Sequence, residues 1–362
     1  MDWARENIRK LEPYVPGFQP KEDGFIKLNT NENPYPPSPR VKQMLGRIKG
    51  DLLRLYPDPH SDRLRQKIAE IYGFRRDNVI VGNGSDEILS IALRCFVGEG
   101  ERIAFPHPSY SLFSVLGQIQ GGEMASYELD DDFRLPPAFF SAGARIKLLA
   151  SPNSPTGTLY PMEVIDRLAE ESEGIVLVDE AYVDFAEESC LPLVRKYPHL
   201  IVVRTFSKSF GLAGARIGYA FAPEEIIQIM MKVKDSYNLN RLGALAAEAA
   251  LEDWDYFRAN VDKIKGERKF LEKELQSLGF YVYPSGANFL LVRDPEGRAR
   301  EIYEKLLGRK ILIRYFDDVR LKDCLRISIG THEQIKQLLR ALREILNGCS
   351  PSGTAGERKN EA

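Results

Sequence analysis

The chain is poor in the residues that bind metals and form disulfides. Its 362 residues include four cysteines, Cys95, Cys190, Cys324 and Cys349, and four histidines, His60, His107, His199 and His332. The cysteines lack metal-ligand spacing and the histidines form no H-x-x-x-H pattern, so no metal site is expected. Scattered thiols fit a reducing cytoplasm. The opening Met-Asp-Trp-Ala-Arg-Glu does not read as a signal peptide, and no apolar run approaches the length that spans a bilayer. An excess of one charge is also missing. Lysine plus arginine number 50 against 52 acidic residues, a formal charge of −2, so no global field draws the chain to nucleic acid or an anionic membrane. Any anionic ligand must be gripped locally.

The length exceeds one typical core, which implies a large and a smaller domain. The proline- and asparagine-rich start, with Leu28-Asn-Thr-Asn-Glu-Asn-Pro-Tyr-Pro-Pro37, reads as an extended arm. A helix is expected over 39–49, and Ser61 looks like the N-cap of a helix to Tyr72. Apolar strands then alternate with amphipathic helices. Strands are expected at 79–81, 102–105, 146–150, 175–178, 200–203 and 217–222, and helices at 86–96, 109–119, 161–171 and 224–234. Such alternation predicts an α/β fold with a mainly parallel sheet covered by helices. Helices over 242–250 and 254–278 lead to a compact α+β unit with strands at 280–283, 288–292, 311–313 and 325–329 and helices at 298–307 and 333–346. The expected division is an arm and start of the small domain at 1–45, a large domain at 46–245, a small domain at 246–346 and a disordered tail at 347–362. No internal repeat is present.

In an open parallel sheet, ligands bind beyond the carboxyl ends of the strands. Behind the run at 79–81 stand Gly82-Asn-Gly-Ser-Asp-Glu87, small residues at a helix start that offer N–H groups to a phosphate. The run at 146–150 is followed by Ser151-Pro-Asn-Ser-Pro-Thr-Gly157, that at 175–178 by Asp179-Glu-Ala-Tyr182, and that at 200–203 by Ser207-Lys208. Taken singly, each stretch is equally an N-cap, a turn or a snorkelling lysine. Together they would converge on one sheet edge.

The order S-P-N-x-P-T-G, D-E-A-Y and S-K-x-F-x-L-A-G-x-R resembles the fold-type-I family of pyridoxal-phosphate enzymes, from the arm to Thr331. The resemblance implies that cofactor, pyridoxal 5′-phosphate, and a role for each residue. Lys208 would link to its aldehyde, Asp179 would pair with its ring nitrogen, and Tyr182 and Asn153 would bond its phenolic oxygen. Tyr110 would stack on the ring. Gly84, Ser85, Asp86, Ser207 and Arg216 would hold its phosphate. Tyr56, in Leu55-Tyr-Pro-Asp58, would reach that phosphate from a neighbouring subunit, which implies a homodimer with shared sites.

Within the family, the arm Asn29-Thr-Asn-Glu-Asn-Pro-Tyr35, with Ile311-Leu-Ile-Arg-Tyr-Phe316 and Leu325-Arg-Ile-Ser-Ile-Gly-Thr331, is similar to the histidinol-phosphate aminotransferase branch. The resemblance implies transamination between histidinol phosphate and 2-oxoglutarate in histidine biosynthesis. It assigns Arg326 to the amino-acid carboxylate, Arg314 and Tyr14 to the substrate phosphate, and Asn31 to substrate binding. Threonine-phosphate decarboxylation and aromatic transamination stand as alternatives. A pyridoxal-phosphate-binding domain with a regulatory or carrier role fits less well, because no appended module precedes Tyr56. Two positions depart from the family pattern: Ser154 stands where a second asparagine is common, and Ser236 where Pro-Tyr-Asn is usual.

Overall fold

In a computed structural model, described over residues 3–348, the arm forms a short helix, Glu6–Arg9, then runs in extended form and contributes one short strand, Ile26–Lys27 (β1). A central sheet follows, built from Val79–Gly82 (β2), Arg102–His107 (β3), Glu123–Glu128 (β4), Ile146–Ala150 (β5), Ile175–Asp179 (β6), Leu200–Thr205 (β7) and Gly218–Phe221 (β8). Their spatial order is β2-β8-β7-β6-β5-β3-β4. Strands β5 and β7 are buried along their whole length, as expected for runs of apolar residues sandwiched between helical layers.

Two features of this sheet differ from the sequence expectation. β4 is an edge strand whose polar sequence, Glu-Met-Ala-Ser-Tyr-Glu, gives no buried-strand signal. β8 runs antiparallel to both of its neighbours. The link from β7 to β8 holds only a 3₁₀ turn, Ala213–Ala215, with no helix to carry the crossover that a parallel return usually uses.

A second sheet pairs Tyr281–Val282 (β9), Phe289–Arg293 (β10), Arg314–Tyr315 (β12) and Cys324–Ser328 (β13) in the order β12-β13-β10-β9, while Ile311–Leu312 (β11) pairs in parallel with β1. The arm is thereby tied to the C-terminal sheet. The 24-residue helix Trp254–Ser277 connects the two sheets. Its buried Arg268 donates to Phe185 O at 3.1 Å and to Ala287 O at 2.7 Å.

Other boundaries also move. The helix expected over 39–49 ends at Gly46 and is followed by a 3₁₀ turn, Gly50–Arg54. Ser61 has a left-handed φ of 49° and makes no capping bond. Asp58 takes that role, its carboxylate accepting from His60 N and Asp62 N at 3.0 and 2.8 Å. The expected tail begins with Asn347 still in the last helix, and from residue 349 it lies outside the described residues.

Candidate active site

The carboxyl ends of β5, β6 and β7 open onto a cleft of about 240 Å³ whose far wall comes from the arm and the C-terminal sheet. Asp179, the last residue of β6, is 4 % exposed. Burial pushes its pKa up to about 7, against the opposing pull of the Ala181 N–H, 3.0 Å away, and of the Lys208 charge. Among the described residues no lysine or arginine forms an ion pair with it. Lys208 follows β7 in a turn that leaves its amine in the cleft, 3.3 Å from Thr30 O and 5.5 Å from the Tyr182 ring centroid.

One end of the cleft suits an anion. The 12-residue helix Ser85–Phe96 starts there, preceded by Gly84 at φ 87°. Glycine is required here for two reasons: Gly84 takes a left-handed φ, with its Cβ position 2.5 Å from Arg216 Nη2, and a Cβ on Gly218 would lie 2.3 Å from the main-chain Ser85 N. Asp86 organises its neighbours, accepting from Arg216 Nη2 at 3.0 Å and from the Tyr110 hydroxyl at 3.1 Å. Burial raises the Tyr110 pKa, so the hydroxyl stays protonated and donates. Ser207 lines this end too, its N–H bonded to Thr205 Oγ1 at 3.1 Å.

The opposite wall is cationic. Arg314 on β12 and Arg326 on β13 stand directly across from each other in an antiparallel pair, an arrangement that repels unless an anion lies between or beside them. Arg326 donates to Asn29 O at 2.8 Å and Ser154 Oγ at 3.2 Å, but its buried Nε has no partner. Arg314 donates to Val15 O at 3.2 Å and Pro16 O at 3.4 Å, which folds residues 14–18 over the cleft. Tyr14 thereby meets Tyr110 edge-on at 6.3 Å.

Thus Lys208, Asp179, Tyr182, Ser85, Asp86, Tyr110, Ser207, Arg216, Tyr14, Asn31, Arg314 and Arg326 all line one cleft, with Gly84 directly behind Arg216. Asn153 does not line it. It is fully buried, donating to Pro108 O and Thr156 Oγ1 at 3.0 Å each and accepting from Ser109 Oγ at 2.7 Å. Tyr56 lies outside as well, 76 % exposed and stacked on Tyr237 with ring centroids 4.4 Å apart.

Sequence reasoning missed several supporting residues. Asn238 donates to Val81 O at 3.0 Å and Glu87 Oε2 at 2.9 Å, while Glu87 accepts from Asn83 N at 2.6 Å, so the three brace the turn before the helix. Ser328 accepts from Asn31 N at 2.9 Å, and Asn31 Nδ2 donates to the Tyr182 hydroxyl at 3.1 Å. The clustering of asparagines in the arm was the available signal, since side chains that satisfy main-chain groups of other segments are what an extended arm needs.

Comparison with known proteins places the chain as a whole. The family model described as aminotransferase class I and II matches residues 23–342. A histidinol-phosphate aminotransferase of Citrifermentans bemidjiense is 46 % identical over 342 residues, 94 % of this chain and 98 % of that one. Histidinol-phosphate aminotransferase 1 of Trichormus variabilis is 44 % identical over 347 residues, covering 95 % and 99 %. The crystal structure of histidinol-phosphate aminotransferase from Sinorhizobium meliloti, in complex with pyridoxal-5′-phosphate, superposes with a TM-score of 0.89 at 28 % identity, covering 96 % of this chain and 98 % of that one. The strand-end cleft, its buried carboxyl and lysine, and these matches lead to one conclusion: the chain belongs to the class I and II aminotransferases.

Proposed function

We propose that the chain is a pyridoxal-phosphate-dependent histidinol-phosphate aminotransferase, exchanging an amino group between histidinol phosphate and 2-oxoglutarate in histidine biosynthesis. The observation that carries this reading is one cleft with Lys208 and buried Asp179 on its floor and paired Arg314 and Arg326 on its wall. Names borne by relatives at 43–46 % identity support the substrate.

The residues present fit the cofactor. A carboxyl held near pKa 7 by burial, with no cation paired to it among the described residues, would have its ionised form stabilised by a protonated ring nitrogen. The N-terminus of helix Ser85–Phe96, with Arg216 and Ser207 beside it, suits a phosphate. Lys208 would hold the aldehyde, Tyr110 would lie on the ring, and Tyr182 would serve the phenolic oxygen, while Asn153, its amide engaged behind the cleft, braces the wall. Bound there, pyridoxal phosphate supplies an aldehyde that links to amines and a ring that draws electrons from the adjoining carbon. The chain's own groups do the rest. Lys208 Nζ, once freed, takes the proton from the substrate carbon bearing the amino group. Asp179 would be held ionised by a protonated ring nitrogen beside it. Arg326 receives the carboxylate of glutamate or 2-oxoglutarate through its planar fork, and Arg314 with Tyr14 receives the phosphate of histidinol phosphate. Asn31 steadies Tyr182 and faces the substrate.

Exposed Tyr56 supports a homodimer in which each copy completes the other's phosphate site. The free thiols of Cys95, Cys190 and Cys324 are consistent with a cytoplasmic enzyme. Among the described residues no helix is long and apolar enough to cross a membrane.

The test mixes cofactor-loaded protein separately with histidinol phosphate, glutamate, phenylalanine and threonine phosphate, following the cofactor absorbance. Histidinol phosphate and glutamate are expected to convert it to the amine form. Carbon dioxide release from threonine phosphate, with no response to histidinol phosphate, would reverse the reading.

A further inference from the structure

The arm reaches the lysine from a side that the strand-end arrangement does not require. Asn33 Nδ2 donates to Lys208 O at 3.0 Å and to Ser209 O at 2.9 Å, which uses both of its protons. Its Oδ1 accepts from Tyr35 N at 3.0 Å. Of the other side-chain contacts of this turn, Lys208 Nζ donates to Thr30 O of the same arm at 3.3 Å, while Thr205 Oγ1 accepts from Ser207 N and Asp184 from Ser209 Oγ on the central-sheet side. Asn33 is the one side chain among these partners that belongs to the arm, a segment bonded to the C-terminal sheet. Two residues before it, Asn31 N donates to Ser328 Oγ at 2.9 Å and Asn31 O accepts from Asn288 Nδ2 at 3.0 Å. Two residues earlier still, Asn29 O accepts from Arg326. Five residues therefore join the arginine on the cleft wall to the main chain of the lysine on its floor.

We propose that Asn33 is a positioning residue for Lys208: its side-chain amide fixes the Lys208 and Ser209 carbonyls so that the amine stands at a set distance from Arg326. The inference rests on the reading of Lys208 as the amine that moves the substrate proton. A lysine stem is flexible, so the place of Nζ is only as well defined as the main chain that carries it. Misplacement of a reacting group by an ångström costs about 10²-fold in rate.

Asn33→Asp separates this role from a structural one. Aspartate keeps the oxygen that accepts from Tyr35 N and forms the same turn as readily as asparagine. It removes both donors and sets an anion against two carbonyls. Full-length Asn33→Asp, Asn33→Ala and Lys208→Ala would be compared with the parent for kcat and KM. The rate at which cofactor-free protein captures pyridoxal phosphate, and its melting temperature, would be measured alongside. The expected result is a kcat lowered about 10²-fold in Asn33→Asp and less in Asn33→Ala, with KM nearly unchanged, slower capture, and melting within about 3 °C of the parent. Parent-like kcat and capture in Asn33→Asp would make Asn33 a turn residue only and overturn the proposal. If Asn33→Asp proves unstable, Asn33→Ala decides: lost kcat at parental melting temperature supports it, and retained kcat overturns it. An active Lys208→Ala would instead overturn the underlying reading of the lysine, whatever the Asn33 variants do.

Discussion

Asp179 shows how one buried residue couples the site to stability. Its pKa, ordinarily 3.8, stands at about 7 because burial disfavours the charged form. Between about pH 4 and pH 7 the folded chain therefore holds a proton that the unfolded chain has lost. The sign follows: stability contributed by this group falls as pH rises through that window and is flat above it. The span is up to about 4 kcal/mol, roughly three pKa units at about 1.4 kcal/mol each. In cofactor-free protein, Asp179→Asn should accordingly gain melting temperature relative to the parent as pH is raised from about 5 to about 8. Parallel melting curves for the two proteins would mean that Asp179 does not hold the proton. With cofactor, the same variant is expected to bind but to turn over very slowly, because the ring nitrogen loses its anion.

The elements around the site show why small residues sit where strands end. Gly218 opens β8 opposite Gly82 and Thr205, and a Cβ there would lie 2.3 Å from Ser85 N and 2.5 Å from Gly84 C. Both are main-chain atoms and cannot swing aside. Gly218→Ala is expected to cost about 1–3 kcal/mol of overpacking, with the strain falling on the helix start that suits a phosphate. Cofactor titration should show weaker binding. Gly266→Ala, with open space around it in helix Trp254–Ser277, is the control, and should leave affinity unchanged. Behind the same strands, Arg204 on β7 and Glu180 after β6 form a buried ion pair at 2.8 Å. Glu180 also accepts from Cys190 N at 2.7 Å and from Ser189 Oγ at 2.9 Å. Such a pair holds its geometry because loss of either partner strands a buried charge, and it keeps the strand ends that carry Asp179 and Lys208 in register.

At the scale of the whole molecule, the proposed dimer completes the phosphate end with a residue from the second copy. Tyr56 is exposed, stacks on Tyr237 and has Leu53, Leu55 and Leu242 around it, all partly exposed. In the proposed dimer each site takes Lys208 from one copy and Tyr56 from the other. Tyr56→Ala mixed with Lys208→Ala under exchange conditions should then form heterodimers in which one site carries both defects and the other neither. Activity should rise above that of either variant alone. Loss of one phosphate hydrogen bond is worth about 1.5–3 kcal/mol, so Tyr56→Ala alone should bind the cofactor more weakly. Unchanged affinity, or an active monomer in sedimentation, would show that the tyrosine serves its own chain or nothing.

The sequence alone determined the central strands and their polar ends. Runs such as Leu200–Val203 are apolar on both faces and fit only a sheet covered on both sides, and Asp179, Ser207 and Lys208 follow from where those runs stop. The resemblance then supplied roles that spacing could not. Tertiary structure decided the features that depend on partners distant in the chain. β4 exists because β3 offers it an edge, not because its own residues demand a strand. β8 is antiparallel, its connection holding a 3₁₀ turn and no crossover helix. Asp58 rather than Ser61 caps the helix at 62–72, because Ser61 takes a left-handed turn. Asn153 stands behind the cleft because its amide is engaged by Pro108 and Thr156. Asn33 faces Lys208 across 175 residues. Each is a hydrogen-bonding choice among several that the local sequence allows, and only the packed chain brings the chosen donor and acceptor within reach.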